Sequence, residues 1–270
     1  MSFISEREHA VSAQFDGASA AEAYAASHDD GASAHFSRTR IALVERFLQA
    51  VRGGSLLDVG CGPGMMVRDV QKSRPGEFRI TALDRSQAMV DACIRNAGEG
   101  SDVRATVGRV EQLPFEDGEF DVVIAMGILE YTDVPVALAE ITRVTRPGGL
   151  VLVTMLNPRS PYRFVQFRLF WPLLRTLRRL EALRGVPPEH RHGRVEPGIR
   201  LHSERRLRDM FAGAGLEARE SAYFDATLLV PPLDRYLPRT NGELARATPN
   251  HGWREALSTA YLLAAHKPAG

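Results

Sequence analysis

Leu56-Leu57-Asp58-Val59-Gly60-Cys61-Gly62-Pro63-Gly64 decides the reading of this chain, together with the apolar run after it that ends at Asp84. The stretch predicts a strand, a glycine-rich turn, a helix, and a second strand tipped with a carboxylate. Gly60, Gly62 and Gly64 have no Cβ, so the backbone can bend sharply there and approach a ligand. The turn opens onto a helix N-terminus, whose free N–H groups favour a carboxylate or phosphate. Asp84 lies twenty residues beyond Gly64, at the tip of the next strand. An acid so placed can accept hydrogen bonds from both ribose hydroxyls. These residues offer a pocket for an adenosine-containing cofactor.

The spacing narrows the choice of cofactor. A dinucleotide fingerprint is G-x-G-x-x-G, shaped for a pyrophosphate. Here it is G-x-G-x-G, with Asp58 two residues before the first glycine. Asp58 would repel a pyrophosphate but not a cationic amino-acid tail. On these residues the chain resembles the class I S-adenosylmethionine-dependent methyltransferases of the small-molecule, methyltransferase type 11 kind. Leu113-Pro114-Phe115 followed by Phe120–Ala125 is similar to that family's third and fourth strand region. Arg146-Pro147-Gly148-Gly149 followed by Leu150–Val153 is similar to its fifth strand and the turn before it. The resemblance spans residues 36–156, and more loosely 200–268.

The resemblance implies an α/β, Rossmann-like, seven-stranded mixed sheet whose last strand is antiparallel. Helices cover both faces and a lid segment is inserted. The pattern agrees: strands at Ser55–Val59, Phe78–Asp84, Val103–Val107, Phe120–Ala125 and Leu150–Met155 alternate with helices near 65–73, 86–96 and 134–145. An earlier helix spans about 35–51, and Gly53-Gly54 ends it. The last part reads helix (203–212), strand (216–223), a proline-rich excursion and a final strand (257–266). The whole chain, 1–270, is expected to form one domain. Residues 1–35 would form an arm over the pocket, and 157–202 and 225–255 two substrate-side insertions.

For the cofactor, the resemblance assigns Asp58, Gly60, Cys61, Gly62 and Gly64 to the methionine portion and Asp84 to the ribose. Arg85 follows Asp84, and Met89 packs on the adenine face or simply in the core. In such relatives a basic residue near Arg40 reaches the methionine carboxylate, which a guanidinium can bind bidentately; an ordinary surface arginine is the alternative. Tyr24 is a candidate cover from the arm. Relatives often carry Gly-Asp-Ala-Glu before Leu-Pro-Phe, but this chain has Gly108-Arg109-Val110-Glu111. Arginine cannot accept a bond from the adenine amino group, so adenine is assigned to the Val110 backbone and apolar stacking. Met126-Gly127-Ile128 would line the floor under the transferring methyl.

With 44% hydrophobic and 25% charged residues, the chain has the composition of a soluble globular protein. No apolar run reaches membrane-span length, and the N-terminus lacks a signal-peptide pattern. A cytoplasmic enzyme is the expectation. Two cysteines make no disulfide framework, and no metal-ligating set is apparent.

The net charge of +1 conceals a strong local bias: residues 159–208 hold thirteen Arg and four Glu. Within them, Leu169, Phe170, Leu173, Leu174, Leu177 and Leu180 share one helical face. Arg168, Arg175, Arg178 and Arg179 share the other. Such a helix reads as a lid packing its leucines on the domain, or, via 162–184, as a peripheral contact with an anionic membrane or an acidic carrier protein. No nucleic-acid-binding module is recognisable.

The expected reaction is methyl transfer from S-adenosylmethionine to a small lipophilic metabolite at oxygen, with nitrogen or carbon as alternatives. His190, His192 and His202 are the candidate bases, should the acceptor need one. Readings from other classes are an NAD-dependent oxidoreductase and a silent adenosyl-binding module.

Overall fold

The structure, a computed structural model, describes residues 17–29, 34–98, 100–187, 190–191, 199–226, 248–249 and 253–269. Two helices, α1 (Ala18–Asp29) and α2 (Ala34–Leu48), precede β1 (Gly54–Val59). The alternating core then runs through α3 (Met65–Ser73), β2 (Phe78–Asp84), α4 (Gln87–Ala97), β3 (Arg104–Val107), β4 (Phe120–Ala125), α5 (Val134–Val144) and β5 (Thr145–Leu156). Beyond it come α6 (Pro161–Val165), a π turn (Gln166–Phe170) and α7 (Trp171–Leu183). The chain closes with α8 (Glu204–Gly213), β6 (Glu217–Ala226), β7 (Thr248–Pro249), α9 (Trp253–Leu257) and β8 (Ser258–His266).

The strands form one sheet in the order β3-β2-β1-β4-β5-β8-β6-β7. β1 pairs in parallel with β2 (Gly54↔Phe78 to Val59↔Leu83) and with β4 (Leu56↔Val122 to Val59↔Ala125). β8 is antiparallel to both of its neighbours, β5 and β6. This is the expected mixed sheet with its last long strand reversed; the two-residue β7 adds a short edge that the sequence reading did not include. Strand order reverses between β1 and β4, so a crevice opens beyond their carboxyl ends.

Adjacent strand residues face opposite layers. Leu57, Val123 and Val151 pack with α5 and α8 through Leu138, Ile141, Leu207 and Phe211. Leu56, Val122 and Leu150 pack on the other side with Val44 and Leu48 of α2 and Val67 and Val70 of α3. Burial on both faces explains why these strands read as apolar runs rather than alternating ones.

The apolar helix of the insertion departs from expectation. Nothing in α7 is buried, so the lid reading, with leucines packed on the domain, does not hold for it. The apolar face divides instead. Phe170 and Leu174 are half-buried, while Leu173, Leu177 and Leu180 are exposed. Most of 225–255, residues 1–16 of the arm, and His192 lie outside the described residues.

One side chain fixes the connection between β3 and β4. Arg143, in the last turn of α5, donates to the Leu113 and Phe115 carbonyls (3.0 and 2.8 Å), to Asp117 (2.8 Å) and to both oxygens of Glu140 (2.8 Å each). Glu140 in turn accepts the Leu113 N–H at 2.8 Å. These charge-assisted bonds hold the Arg143 pKa above its usual range, Glu140 first and Asp117 second. Arg143→Met should lower unfolding stability by roughly 2 kcal/mol, the order expected for losing bonds to charged groups. Urea denaturation measures this; an unchanged midpoint would show the staple to be idle.

Candidate functional site

β1 turns into α3 through three left-handed glycines: Gly60 (φ 72°), Gly62 (φ 52°) and Gly64 (φ 81°). The turn is tied to β2, whose Leu83 carbonyl accepts from the N–H groups of Gly60 (2.7 Å) and Cys61 (3.0 Å). No side chain fits at two of these positions. A Cβ on Gly60 would overlap Ile128 Cγ2, and one on Gly64 would sit 2.6 Å from Cys93 Sγ. Gly62 is different: a Cβ there would meet the Tyr24 ring of α1 at an ordinary 3.7 Å. Its constraint is its positive φ.

Around this turn lies an open cleft, about 870 Å³ including the solvent space at its mouth. Gly60 and Gly62 line it from the turn, and Asp84, Arg85 and Met89 from the end of β2 and the start of α4. Arg109, Val110 and Glu111 follow β3; Met126, Gly127, Ile128 and Tyr131 follow β4; Tyr24 closes one side. Of the residues proposed from sequence, Tyr24, Gly60, Gly62, Asp84, Arg85, Met89, Val110 and Met126 thus meet around one space. Asp58, Cys61, Gly64 and Arg40 stand outside its lining. Neither His190, which is exposed, nor His202 lines it.

The two strand-tip acids differ in their partners. Asp84 accepts the Gly62 N–H through one oxygen and the Ser86 N–H through the other, both at 2.9 Å. Burial raises its pKa against those bonds. Each carboxylate oxygen has a second lone pair to offer. Asp58 is 2% exposed, and its Oδ2 has no hydrogen-bond partner. Burial pushes its pKa up to about 7; the Arg40 guanidinium opposes this and Asp84 adds to it. A buried carboxylate oxygen without a donor is costly, and the group that would relieve it is a cation with hydrogens to give. Asp84, which lines the cleft, and Asp58, which stands behind its lining, are thus two acids whose chemistry suits a ribose and an ammonium.

Arg40 reaches from α2 to the back of Gly127: its Nη1 lies 3.4 Å from where a Cβ on that glycine would be. Its charge also acts on Glu130, a second buried acid, 2% exposed. Burial pushes Glu130 up to about 7, against bonds from its own and the Leu156 N–H and the charges of Arg40 and Arg163. The sequence reading passed over this residue. Its signal was a lone acid between Leu129 and Tyr131, directly after the apolar β4 region.

Cys61 and Cys93 are both buried and free. A hydrogen bond between them, then burial, pushes the Cys61 thiol well above its usual range, so it stays protonated and unreactive. Among the described residues no cluster of three or more His, Cys, Asp or Glu could hold a metal, and no helix is long and apolar enough to cross a membrane.

Comparison with known proteins agrees with this geometry. The family model described as a methyltransferase domain matches residues 57–153. A malonyl-acyl-carrier-protein O-methyltransferase of Serratia marcescens is 36% identical over 109 residues, 40% of this chain and 40% of that protein. A demethylmenaquinone methyltransferase of Staphylococcus aureus is 34% identical over 102 residues, 37% of this chain and 42% of that protein. The chain thus spans less than half the length of these relatives. Among solved structures, geranyl diphosphate C-methyltransferase from Streptomyces coelicolor, in complex with S-adenosyl-L-homocysteine, is similar over 84% of this chain and 79% of that one (TM-score 0.52, 20% identity). The 4+2 cyclase SpnF is similar over 90% and 86% (TM-score 0.56, 24% identity). Residues 57–153 match the methyltransferase domain family, with the glycine turn, Asp58 and Asp84 inside that span and the reversed last strand beyond it.

Proposed function

We propose that this protein transfers a methyl group from S-adenosylmethionine to a small lipophilic metabolite, at oxygen. The observation that carries the reading is the unpartnered, buried oxygen of Asp58 behind the glycine turn. When bound, the sulfonium supplies a methyl carbon already activated for in-line displacement. The chain's own task is to hold the two reactants in line and keep water out. Asp58 would hold the ammonium, Asp84 the ribose hydroxyls, and Met89 and Val110 the adenine. Tyr24 would cover the site from α1. Apolar Met126 and Ile128 in the wall favour a lipophilic acceptor.

The wall also bears on the acceptor atom. No histidine lines the described cavity, so an acceptor that arrives ionised, a carboxylate or an acidic phenol, suits it without a base. Two relatives are named as a malonyl-acyl-carrier-protein O-methyltransferase and a demethylmenaquinone methyltransferase, which supports a small-molecule or carrier-bound acceptor here. An acidic carrier protein remains a partner for this chain on the same ground.

The test is transfer of label from methyl-labelled S-adenosylmethionine to a panel of lipophilic carboxylates and phenols. A melting temperature raised by NAD and not by S-adenosylhomocysteine would replace the reading with an oxidoreductase. Cofactor binding without transfer to any acceptor would leave an adenosyl-binding module, a case the cyclase neighbour makes concrete, since its fold is similar and it is named for another reaction.

Two expectations concern the cofactor itself. Asp84→Ala should weaken S-adenosylhomocysteine at least tenfold, about 1.4 kcal/mol; equal affinities by calorimetry would remove the ribose assignment. Asp58 must be ionised to hold an ammonium, and its pKa is about 7 in the unliganded protein. Affinity should therefore fall about tenfold from pH 8 to pH 6, following the ionised fraction. Asp58→Asn should bind weakly and flatten this profile. A wild-type affinity constant across that range would contradict the role.

A further inference from the structure

The segment from α6 to α7 has no part in the cavity. Leu169, Leu173, Leu177, Leu180 and Leu183 follow one another at intervals of four, four, three and three residues, which keeps them on one side of the helix. All are exposed, Leu173 by 66% and Leu183 by 84%. Single surface leucines are ordinary. A continuous stripe about 20 Å long, at 1.5 Å per residue, calls for something to cover it.

Charge says what. Residues 161–185 contain six arginines and one acid, Glu181, in a chain whose net charge is +1. Arg168, Arg175, Arg179 and Arg184 are exposed. At 100° per residue, Arg179 stands beside Leu183 at one flank of the stripe, Arg184 caps its end, and Arg175 lies farther round, on the side away from Leu173 and Leu177. The helix therefore offers a narrow convex apolar ridge edged by guanidiniums. A second copy would bring the same positive charge against itself. A bilayer moulds to a convex ridge, and long arginine stems reach headgroup phosphates while the leucines sink among acyl chains.

We propose that α7 seats this protein on an anionic lipid surface, lying in the interface with Leu173, Leu177 and Leu180 towards the acyl chains and Arg179 and Arg184 on phosphates. The proposal is independent of methyl transfer, because its test requires no cofactor.

The experiment is flotation of the full-length protein with vesicles of phosphatidylcholine alone, or mixed with phosphatidylglycerol. Wild type should float only with the anionic vesicles at about 50 mM salt and should largely release at about 500 mM, where the screening length is a few ångströms. A variant carrying Arg179→Gln and Arg184→Gln should lose at least tenfold in partitioning. A second, carrying Leu173→Ser, Leu177→Ser and Leu180→Ser, should lose at least tenfold while its melting temperature stays at the wild-type value, since these side chains are exposed. Any of three results would overturn the proposal: wild type that ignores anionic vesicles at low salt, vesicle binding that survives the leucine changes, or a concentration-dependent dimer or an acidic-protein complex that the leucine changes dissolve in place of vesicle binding.

Discussion

The molecule is arranged around a carboxyl kept from water. Asp58 is the penultimate residue of a strand in which Leu56, Leu57 and Val59 are apolar and buried, and one of its oxygens has no donor. Removing a carboxylate from water without full pairing costs several kcal/mol in general. The protein's response is partial: burial raises the pKa, Arg40 opposes it, Asp84 adds to it, and the result is about 7. A fold optimised for stability alone would place a valine there. What keeps the acid is its position behind a turn that cannot drift, because β2 holds the turn from below and Ile128 closes the space above Gly60. Stability is given up at one residue, and the geometry around that residue is made rigid.

Much of this arrangement could be read without coordinates, for physical reasons. The limits of α3, β2 and β4 match the pattern because buried parallel strands and amphipathic helices imprint their periods directly. Asp58 and Asp84 were legible because a charge at the tip of an apolar strand is rare enough to need a purpose. Arg143 was not. Its five bonds join residues that are three to thirty positions apart, and only the folded chain shows them together. The sequence reading put Arg40 on the methionine carboxylate; in the structure it lies behind Gly127 and outside the cavity lining, where its charge acts on two buried acids. A helical wheel also could not separate the two apolar arcs of α7. Phe170 and Leu174 meet the protein while Leu173 and Leu177 do not, and a wheel records hydrophobicity without recording what stands opposite.

The histidines illustrate a different limit. Their chemistry made them natural candidates for a base, but chemistry without position is weak guidance. His202 is used through its backbone, where its carbonyl accepts the Tyr261 hydroxyl at 2.8 Å. Burial, then Arg206 and Arg200, lowers its pKa, so the imidazole is disposed to be neutral. It belongs to the segment that closes over Glu130, whose carbonyl accepts the Arg200 N–H at 2.9 Å.

Glu130 joins the two halves of the molecule. Its Oε1 accepts the Leu156 N–H at 3.1 Å, fixing the loop after β4 to the end of β5. That loop supplies Ile128 and Tyr131 to the cavity wall. The charges acting on the carboxyl come from Arg40 of α2 and Arg163 of α6. Arg163 also donates to the Thr259 carbonyl at 3.2 Å, so α6 is rooted on β8 next to β5. The segment leading into α7 is therefore rooted on β8, and its Arg163 charge acts on the same buried acid that steadies the wall of the cavity. An insertion tied there cannot move as a free appendage; whatever meets α7 meets an element seated on the frame of the site.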